Sequence, residues 1–373
     1  MKIAFDAKRA FYNNTGLGNY SRNTIRQLST YYPQNEYLLY TPSTSKSIKF
    51  ERALNTKIIT PFSFTGKLFK SYWRSYLINS QINYEKPDIY HGLSNELPYG
   101  INGQKRTKAI VTIHDLIFKR FPTLYKAADR KIYDRKFKYA AEVADTVIAV
   151  SQQTANDIQE FYKINSEKIR VVYQGCNPVF YNMVDDKTKS EIKNKFNLPS
   201  EFILYIGTIE ERKNLLRIVK AICDNNIKMS LVVIGRKTKY FEIVNEFILN
   251  NKLEKQIIFI ENLLNTELPT FYQLAKAFVY PSIFEGFGIP ILEALASGTP
   301  VITSEGSCFG EAAGSNSLFV NPNIVESIAD GINKVLESKE LRINMIIEGR
   351  KHALKFTEDK VAKNLMKVYE QNL

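Results

Sequence analysis

Tyr280-Pro281-Ser282-Ile283-Phe284-Glu285-Gly286-Phe287-Gly288-Ile289-Pro290-Ile291-Leu292-Glu293-Ala294-Leu295-Ala296-Ser297-Gly298-Thr299-Pro300 is the stretch on which the fold is read. The apolar run Ala277 to Tyr280 predicts a buried parallel strand, and Gly286 and Gly288 predict a tight loop after it. Pro290, with its fixed φ and no amide to leave unpaired, predicts a helix start. The first turn of a helix carries unpaired amides and partial positive charge, which suits an anion such as phosphate. Two carboxylates flank the loop: Glu285 at its mouth and Glu293, placed by this reading in the first helical turn. Beside a phosphate site a carboxylate serves better as an acceptor for hydroxyls, which both a ribose and a hexose offer. On these residues alone, Glu293 serves equally well as a complement to the helix dipole, and Glu285 as a solvated loop residue.

The same alternation recurs outward from this stretch. In the second half, strands are expected at Phe202–Ile206, Leu231–Ile234 and Ile257–Ile260, each followed by a helical pattern. In the first half they are expected at Lys2–Ala7, at the segments ending in His91 and His114, at Ala144–Val150 and at Arg170–Tyr173, with Ser151 capping a helix to Phe161. Strands alternating with helices in both halves predict an α/β chain of two doubly wound, Rossmann-like domains. The polar, lysine-rich stretch from Asn177 to Ser200, broken by Pro178 and Pro199, is the expected boundary. The expected domains are 1–180 and 181–355, with a charged amphipathic helix over 356–373.

Composition excludes several classes of protein. At 373 residues, 44% hydrophobic and 24% charged, the chain has ample length for two cores. It holds no run of 18 apolar residues, and Met1 leads straight into a strand, so the expectation is a cytoplasmic protein that does not span a membrane. Cys176, Cys223 and Cys308 are odd in number and far apart, which argues against a disulfide framework. Three histidines and no clustered cysteines argue against zinc. The net charge of +13 is unevenly spread: residues 1–180 carry 27 Lys+Arg against 14 Asp+Glu, and residues 181–373 carry 24 of each. A basic first half predicts an anionic partner there: nucleic acid, acidic lipid or a phosphorylated substrate.

Three features of that half bear on function. Gly16 and Gly18 follow the first strand and open a helix, without the full dinucleotide fingerprint, so a nicotinamide cofactor is not expected. Between Lys67 and Asn79, Leu68, Phe69, Tyr72, Trp73 and Tyr76 recur at helical spacing with Lys67, Lys70 and Arg74 on another face. This predicts an amphipathic helix that either lies in a bilayer interface or packs its aromatic stripe on the core. His114 ends an apolar strand, and the carboxyl ends of parallel strands face the ligand crevice, so it is the histidine better placed for chemistry.

In this order the motifs resemble the retaining glycosyltransferases of family 4, with the two-domain fold called GT-B. The resemblance rests on Gly16 and Gly18, Ile113-His114-Asp115, the segment from Gly207 to Asn214, the segment from Glu285 to Glu293, and Gly298-Thr299-Pro300-Val301-Ile302, and it runs the length of the chain. It implies that Glu293 binds ribose hydroxyls, that Glu285 binds hydroxyls of the transferred sugar, and that the amides around Phe287 and Gly288 help hold the donor. It further implies that Arg212 and Lys213 neutralise the diphosphate, and that Gly16, in the loop with Gly18, lets that loop approach the donor phosphates. His114 would contact the sugar at the reacting centre, making His114 and Glu285 the catalytic pair. The donor would lie in a cleft between the domains, and the last helix would return to the N-terminal domain.

The resemblance implies hexose transfer from a nucleoside-diphosphate sugar with retention, by front-face attack, with no obligatory metal or other cofactor. Mannose or rhamnose is favoured. The acceptor would be a saccharide or lipid-linked saccharide, with peripheral contact at an anionic membrane and no nucleic acid. Two departures stand out: many relatives have Arg where Thr208 stands and Gly where Glu261 stands. Which of Arg212 and Lys213 makes the main phosphate contact, and which base is bound, therefore stay open. The competing readings are a nucleic-acid-binding protein and another GT-B enzyme such as a sugar phosphorylase or epimerase.

Overall fold

The computed structural model describes residues 1–44, 50 and 53–373. The chain forms two compact units, one made of Met1–Gln174 with Glu358–Leu373, the other of Gly175–Thr357.

The first unit is built on a seven-stranded sheet of β1 (Lys2–Asp6), β2 (Glu36–Tyr40), β3 (Thr56–Ile59), β4 (Ile89–Gly92), β5 (Lys108–Ile113), β6 (Thr146–Ala149) and β7 (Ile169–Val171) in the order β3-β2-β1-β4-β5-β6-β7. Every neighbouring pair is parallel. Parallel strands covered on both faces need apolar side chains on both, which is why Ile3, Ala4 and Phe5 are all fully buried.

The helix Glu358–Glu370 belongs to this unit. Leu365, Met366 and Tyr369 join the core made by Phe5, Ile25 and Leu28. The Tyr369 hydroxyl lies 2.7 Å from Nδ1 of His91, whose Nε2 lies 2.8 Å from the Thr112 hydroxyl. Burial holds this histidine neutral, with its pKa lowered to about 3. Arg26 donates to both carboxylate oxygens of Glu358.

The second unit carries β8 (Phe202–Ile206), β9 (Ser230–Ile234), β10 (Ile257–Ile260), β11 (Ala277–Tyr280), β12 (Val301–Ser304) and β13 (Leu318–Val320), all parallel, in the order β10-β9-β8-β11-β12-β13. Both sheets therefore reverse their winding once, between β1 and β4 and between β8 and β11. Connections leave the sheet in opposite directions at such a point, and a crevice opens at the carboxyl ends of the two strands.

Three expectations are corrected. The stretch Asn177 to Ser200, expected as the domain boundary, lies within the second unit. Asn177 and Asp185 cap a turn at Pro178–Tyr181 and a helix at Asp186–Lys195, and Phe180 packs edge-on against Tyr272, so the chain crosses to the second unit at Gln174–Gly175. Lys67 to Asn79 is not one helix. It breaks into Phe64–Leu68, Lys70–Tyr72 and a wider π turn at Trp73–Leu77, which leads into the helix Ile78–Glu85.

Because of that break, Trp73 faces the core, 1% exposed, with Nε1 donating to Gln81. Arg74 points inward too, bonded to Asp6 at 2.8 Å and Glu96 at 2.6 Å. Two carboxylates left in low dielectric need a cation, and this requirement outweighs the periodicity. The side chains left outside are Phe62, Phe64, Leu68, Phe69, Tyr72 and Tyr76, with Phe64 79% exposed. Third, the helix after the glycine loop is Ile289–Ser297, so Pro290 is its second residue and Glu293 lies beyond its first turn.

Candidate active site

The site residues of the second unit gather at the reversal between β8 and β11. Gly288, at φ +111°, caps the helix Ile289–Ser297, in a conformation that a side chain would strain. Arg212 and Lys213 lie in a short turn after β8, and Glu285 follows β11. These strands are neighbours, so two segments far apart in sequence meet at their ends.

Glu285 is the centre of the cluster. Its Oε1 accepts from the Tyr280 hydroxyl at 2.8 Å and the Ser282 hydroxyl at 2.9 Å. Arg212 Nη1 lies 2.8 Å from the same oxygen, and Lys213 Nζ 3.4 Å from it. Burial penalises the charge, but the two cations and two hydroxyls outweigh it and hold the carboxyl down at about 2. Glu285 is thus an ionised acceptor at every physiological pH. Arg212 also donates to Glu210 at 2.6 Å and to the Phe284 carbonyl, whereas Lys213 donates to the Tyr280 hydroxyl at 2.8 Å.

Glu293 has the opposite electrostatics. It accepts from the Tyr272 hydroxyl at 2.9 Å, and burial pushes its pKa up to about 7 against that single favourable bond. Phe287 is buried, its ring 5.7 Å from that of Phe356.

In the first unit, His114 is buried between partners. Its Nε2 donates to the Leu93 carbonyl at 2.9 Å, Gln174 Nε2 lies 3.3 Å from Nδ1, and the Tyr20 ring packs edge-on at 4.5 Å. Burial lowers its pKa to about 4, so the imidazole is neutral and its proton sits on Nε2. A ligand hydroxyl at Nδ1 would have to take the place of Gln174. The two glycines of the first loop differ. A Cβ at Gly18 would lie 1.7 Å from the Asn13 carbonyl oxygen, which makes that glycine a packing necessity, whereas a Cβ at Gly16 meets nothing within 4 Å. The Asn13 side chain accepts from the amides of Thr15 and Gly18, taking up two donors of this helix start.

Tyr280, Ser282, Glu210, Tyr272 and Cys308, whose Sγ lies 3.2 Å from the Glu285 carbonyl oxygen, are the candidate-site residues that sequence reasoning missed. A tyrosine and a serine bracketing a proline at a strand's carboxyl end were a usable signal for the first two. Nothing local marks Tyr272 or Cys308.

A parallel-sheet unit with a cation pair, a carboxylate and a helix start at its winding reversal brings groups suited to an anion beside one suited to hydroxyls, and comparison with known proteins gives the family. Residues 15–180 match Glycosyltransferase Family 4 and residues 186–352 match Glycosyl transferases group 1. The chain belongs to the GT-B glycosyltransferases that join these two domains.

The O-antigen chain mannosyltransferase B of Escherichia coli is 24% identical over 99% of this chain and 100% of its own length. The O-antigen chain mannosyltransferase RfbU of Salmonella typhimurium is 30% identical over 60% of each chain. Among solved structures, sucrose-phosphate synthase from Thermosynechococcus elongatus superposes with a TM-score of 0.80 at 20% identity, covering 100% of this chain and 98% of that one. Anabaena HepE in complex with UDP and glucose superposes at 0.75 with 15% identity and 100% coverage of both chains. These superpositions speak to the fold.

Proposed function

We propose that the protein transfers a hexose, mannose or rhamnose, from a nucleoside-diphosphate sugar to a saccharide or lipid-linked saccharide of a surface polysaccharide, with retention of configuration. The observation that carries this reading is the pairing of Glu285 with Arg212 and Lys213 at the start of the helix Ile289–Ser297. Breaking an anomeric bond builds negative charge on the departing diphosphate and positive charge on the sugar ring. Fixed cations and helix-start amides answer the first, and an ionised acceptor that orients hydroxyls answers the second. The likeness to O-antigen mannosyltransferases supports the sugar.

In this mechanism the acceptor hydroxyl attacks from the face the diphosphate leaves. The C–O bond to phosphate breaks as the new C–O bond forms, and the departing phosphate oxygen takes the acceptor proton. Glu285 and Glu293 hold hydroxyls of the sugar and ribose, and Lys213 lies against the phosphates. His114, neutral, contacts the transferred sugar. No metal is required, since protein cations neutralise the leaving group; full turnover in excess EDTA is the expected result.

The basic N-terminal unit would meet a lipid-linked acceptor at the anionic inner face of the membrane. The exposed patch from Phe62 to Tyr76, with Lys67 and Lys70 in it, supports that contact. No helix among the described residues is long and apolar enough to cross a membrane. The test is a thermal-shift panel of nucleoside diphosphates and nucleotide sugars, where a ligand at 100 times its Kd stabilises by about 2.7 kcal/mol. Acceptor-dependent release of nucleoside diphosphate follows, with the product anomer read by NMR. Absence of any nucleotide shift, or an inverted product, would overturn the reading.

A further inference from the structure

His114 is held at each of its polar atoms, but unequally. Its main-chain amide donates to the Asn95 side chain at 2.7 Å, its carbonyl accepts from the Thr154 hydroxyl at 3.3 Å, and Nε2 donates to the Leu93 carbonyl at 2.9 Å. The Tyr20 ring packs edge-on against the imidazole, and its hydroxyl is anchored 3.1 Å from that of Thr112. All these partners belong to the first unit. Together they fix the place and plane of the ring, and with the proton on Nε2 they leave Nδ1 as a lone pair.

Nδ1 has a looser partner. Gln174 Nε2 stands 3.3 Å away, at the far end of the range for an N–H donor. Gln174 is half-buried in the irregular stretch after β7, and this is the one hydrogen bond its side chain makes among the described residues. An amide N–H and a sugar O–H make the same demand on an imidazole: each donates to the lone pair, which takes one of them at a time. A flexible side chain on a single long bond gives way at little cost, since its amide regains water when released.

We propose that Gln174 is a specificity-determining residue at the sugar end of the site. It caps Nδ1 of His114 until a donor binds, then yields to one hydroxyl of the transferred sugar, and so sets how much the sugar adds to binding beyond the nucleotide. This rests on the donor reading above. A nucleoside diphosphate brings no hexose hydroxyl to Nδ1 and does not enter the exchange.

The experiment measures, by calorimetric titration, the Kd of GDP-mannose against GDP, dTDP-rhamnose against dTDP and UDP-glucose against UDP, with melting temperatures alongside. The proteins are wild type, Gln174→Ala, His114→Ala and the double variant. Gln174→Ala is expected to bind the nucleotide sugar about threefold or more tighter than wild type, with its Kd for the nucleoside diphosphate within about twofold. In the His114→Ala background the same change should alter neither, because no lone pair is left to uncover. Unchanged affinity for the nucleotide sugar in Gln174→Ala would overturn the proposal by showing that the amide does not compete. Weaker affinity would overturn it by showing that Gln174 itself holds the sugar. A gain shared by the nucleoside diphosphate, or one that persists without His114, would overturn it by showing that space rather than Nδ1 matters. The Gln174→Ala comparison decides alone if His114→Ala does not fold. If the wild type binds none of these compounds, the donor reading fails and this inference with it.

Discussion

Arg212 Nη1 and Glu285 Oε1 lie 2.8 Å apart, and the same guanidinium reaches back to Glu210 at 2.6 Å. Arg212 is thereby divided between two carboxylates and a backbone carbonyl, whereas Lys213 is held by the Tyr280 hydroxyl at 2.8 Å and a longer contact of 3.4 Å to Glu285. The lysine is the cation that gives up less on turning to an incoming phosphate.

Lys213→Ala, Glu285→Ala and His114→Ala are each expected to lower turnover at saturating donor by at least about tenfold, or roughly 1.4 kcal/mol of transition-state stabilisation. Steady-state kinetics on the three variants check this. Near-normal rates in all of them would remove the assigned site.

The raised pKa of Glu293, about 7, gives a pH dependence whose sign is fixed. The fold favours the neutral form, while a carboxylate is needed to accept from ribose hydroxyls. Affinity for a nucleotide sugar, whose own phosphates do not titrate in this range, should rise from about pH 6 to 8. The stability that the neutral carboxyl contributes is present at low pH and fades as pH rises through about 7. Glu293→Gln should therefore flatten the affinity profile, and should melt higher than wild type at about pH 8 while losing that advantage near pH 5. Titration calorimetry and scanning calorimetry across that range provide both readings.

Arg74 neutralises Asp6 and Glu96 in the interior of the N-terminal unit. Removing one partner of a buried ion network strands the others, at a cost of about 3–5 kcal/mol. Arg74→Ala should thus unfold at distinctly lower denaturant, and a midpoint unchanged from wild type would contradict the buried role.

Membrane contact is expected to depend on the outward side chains. Phe64→Ser with Phe69→Ser, or Lys67→Glu with Lys70→Glu, should reduce flotation with phosphatidylglycerol vesicles, each suitably placed cation contributing about 1 kcal/mol. Unchanged flotation in both pairs would sink the idea. Trp73 is left out of the set because it lies in the core.

Much of this architecture was legible because strands covered on both faces must be apolar throughout, as in Phe202–Ile206 and Ala277–Tyr280. Of the edge strands, Thr56–Ile59 and Leu318–Val320 escaped: the first buries only one of its residues and the second spans only three. Glu285 and Glu293 stood out because they flank a glycine loop at a helix start, whereas Arg212 and Lys213 entered only through the family resemblance. Their supports did not stand out. Cys308 and Tyr272 act across the fold through thiol and hydroxyl bonds that no spacing encodes, and Arg74 was read on the wrong face because helical periodicity has no knowledge of Asp6.

The helix Glu358–Glu370 closes the N-terminal unit with residues made after the whole of the second unit. On a ribosome, Gly175–Thr357 is a continuous segment that can complete its sheet while the earlier one still waits, with His91 lacking its tyrosine and Arg26 its carboxylate. Order of synthesis and order of completion are therefore inverted: the half that emerges first is the half that finishes second.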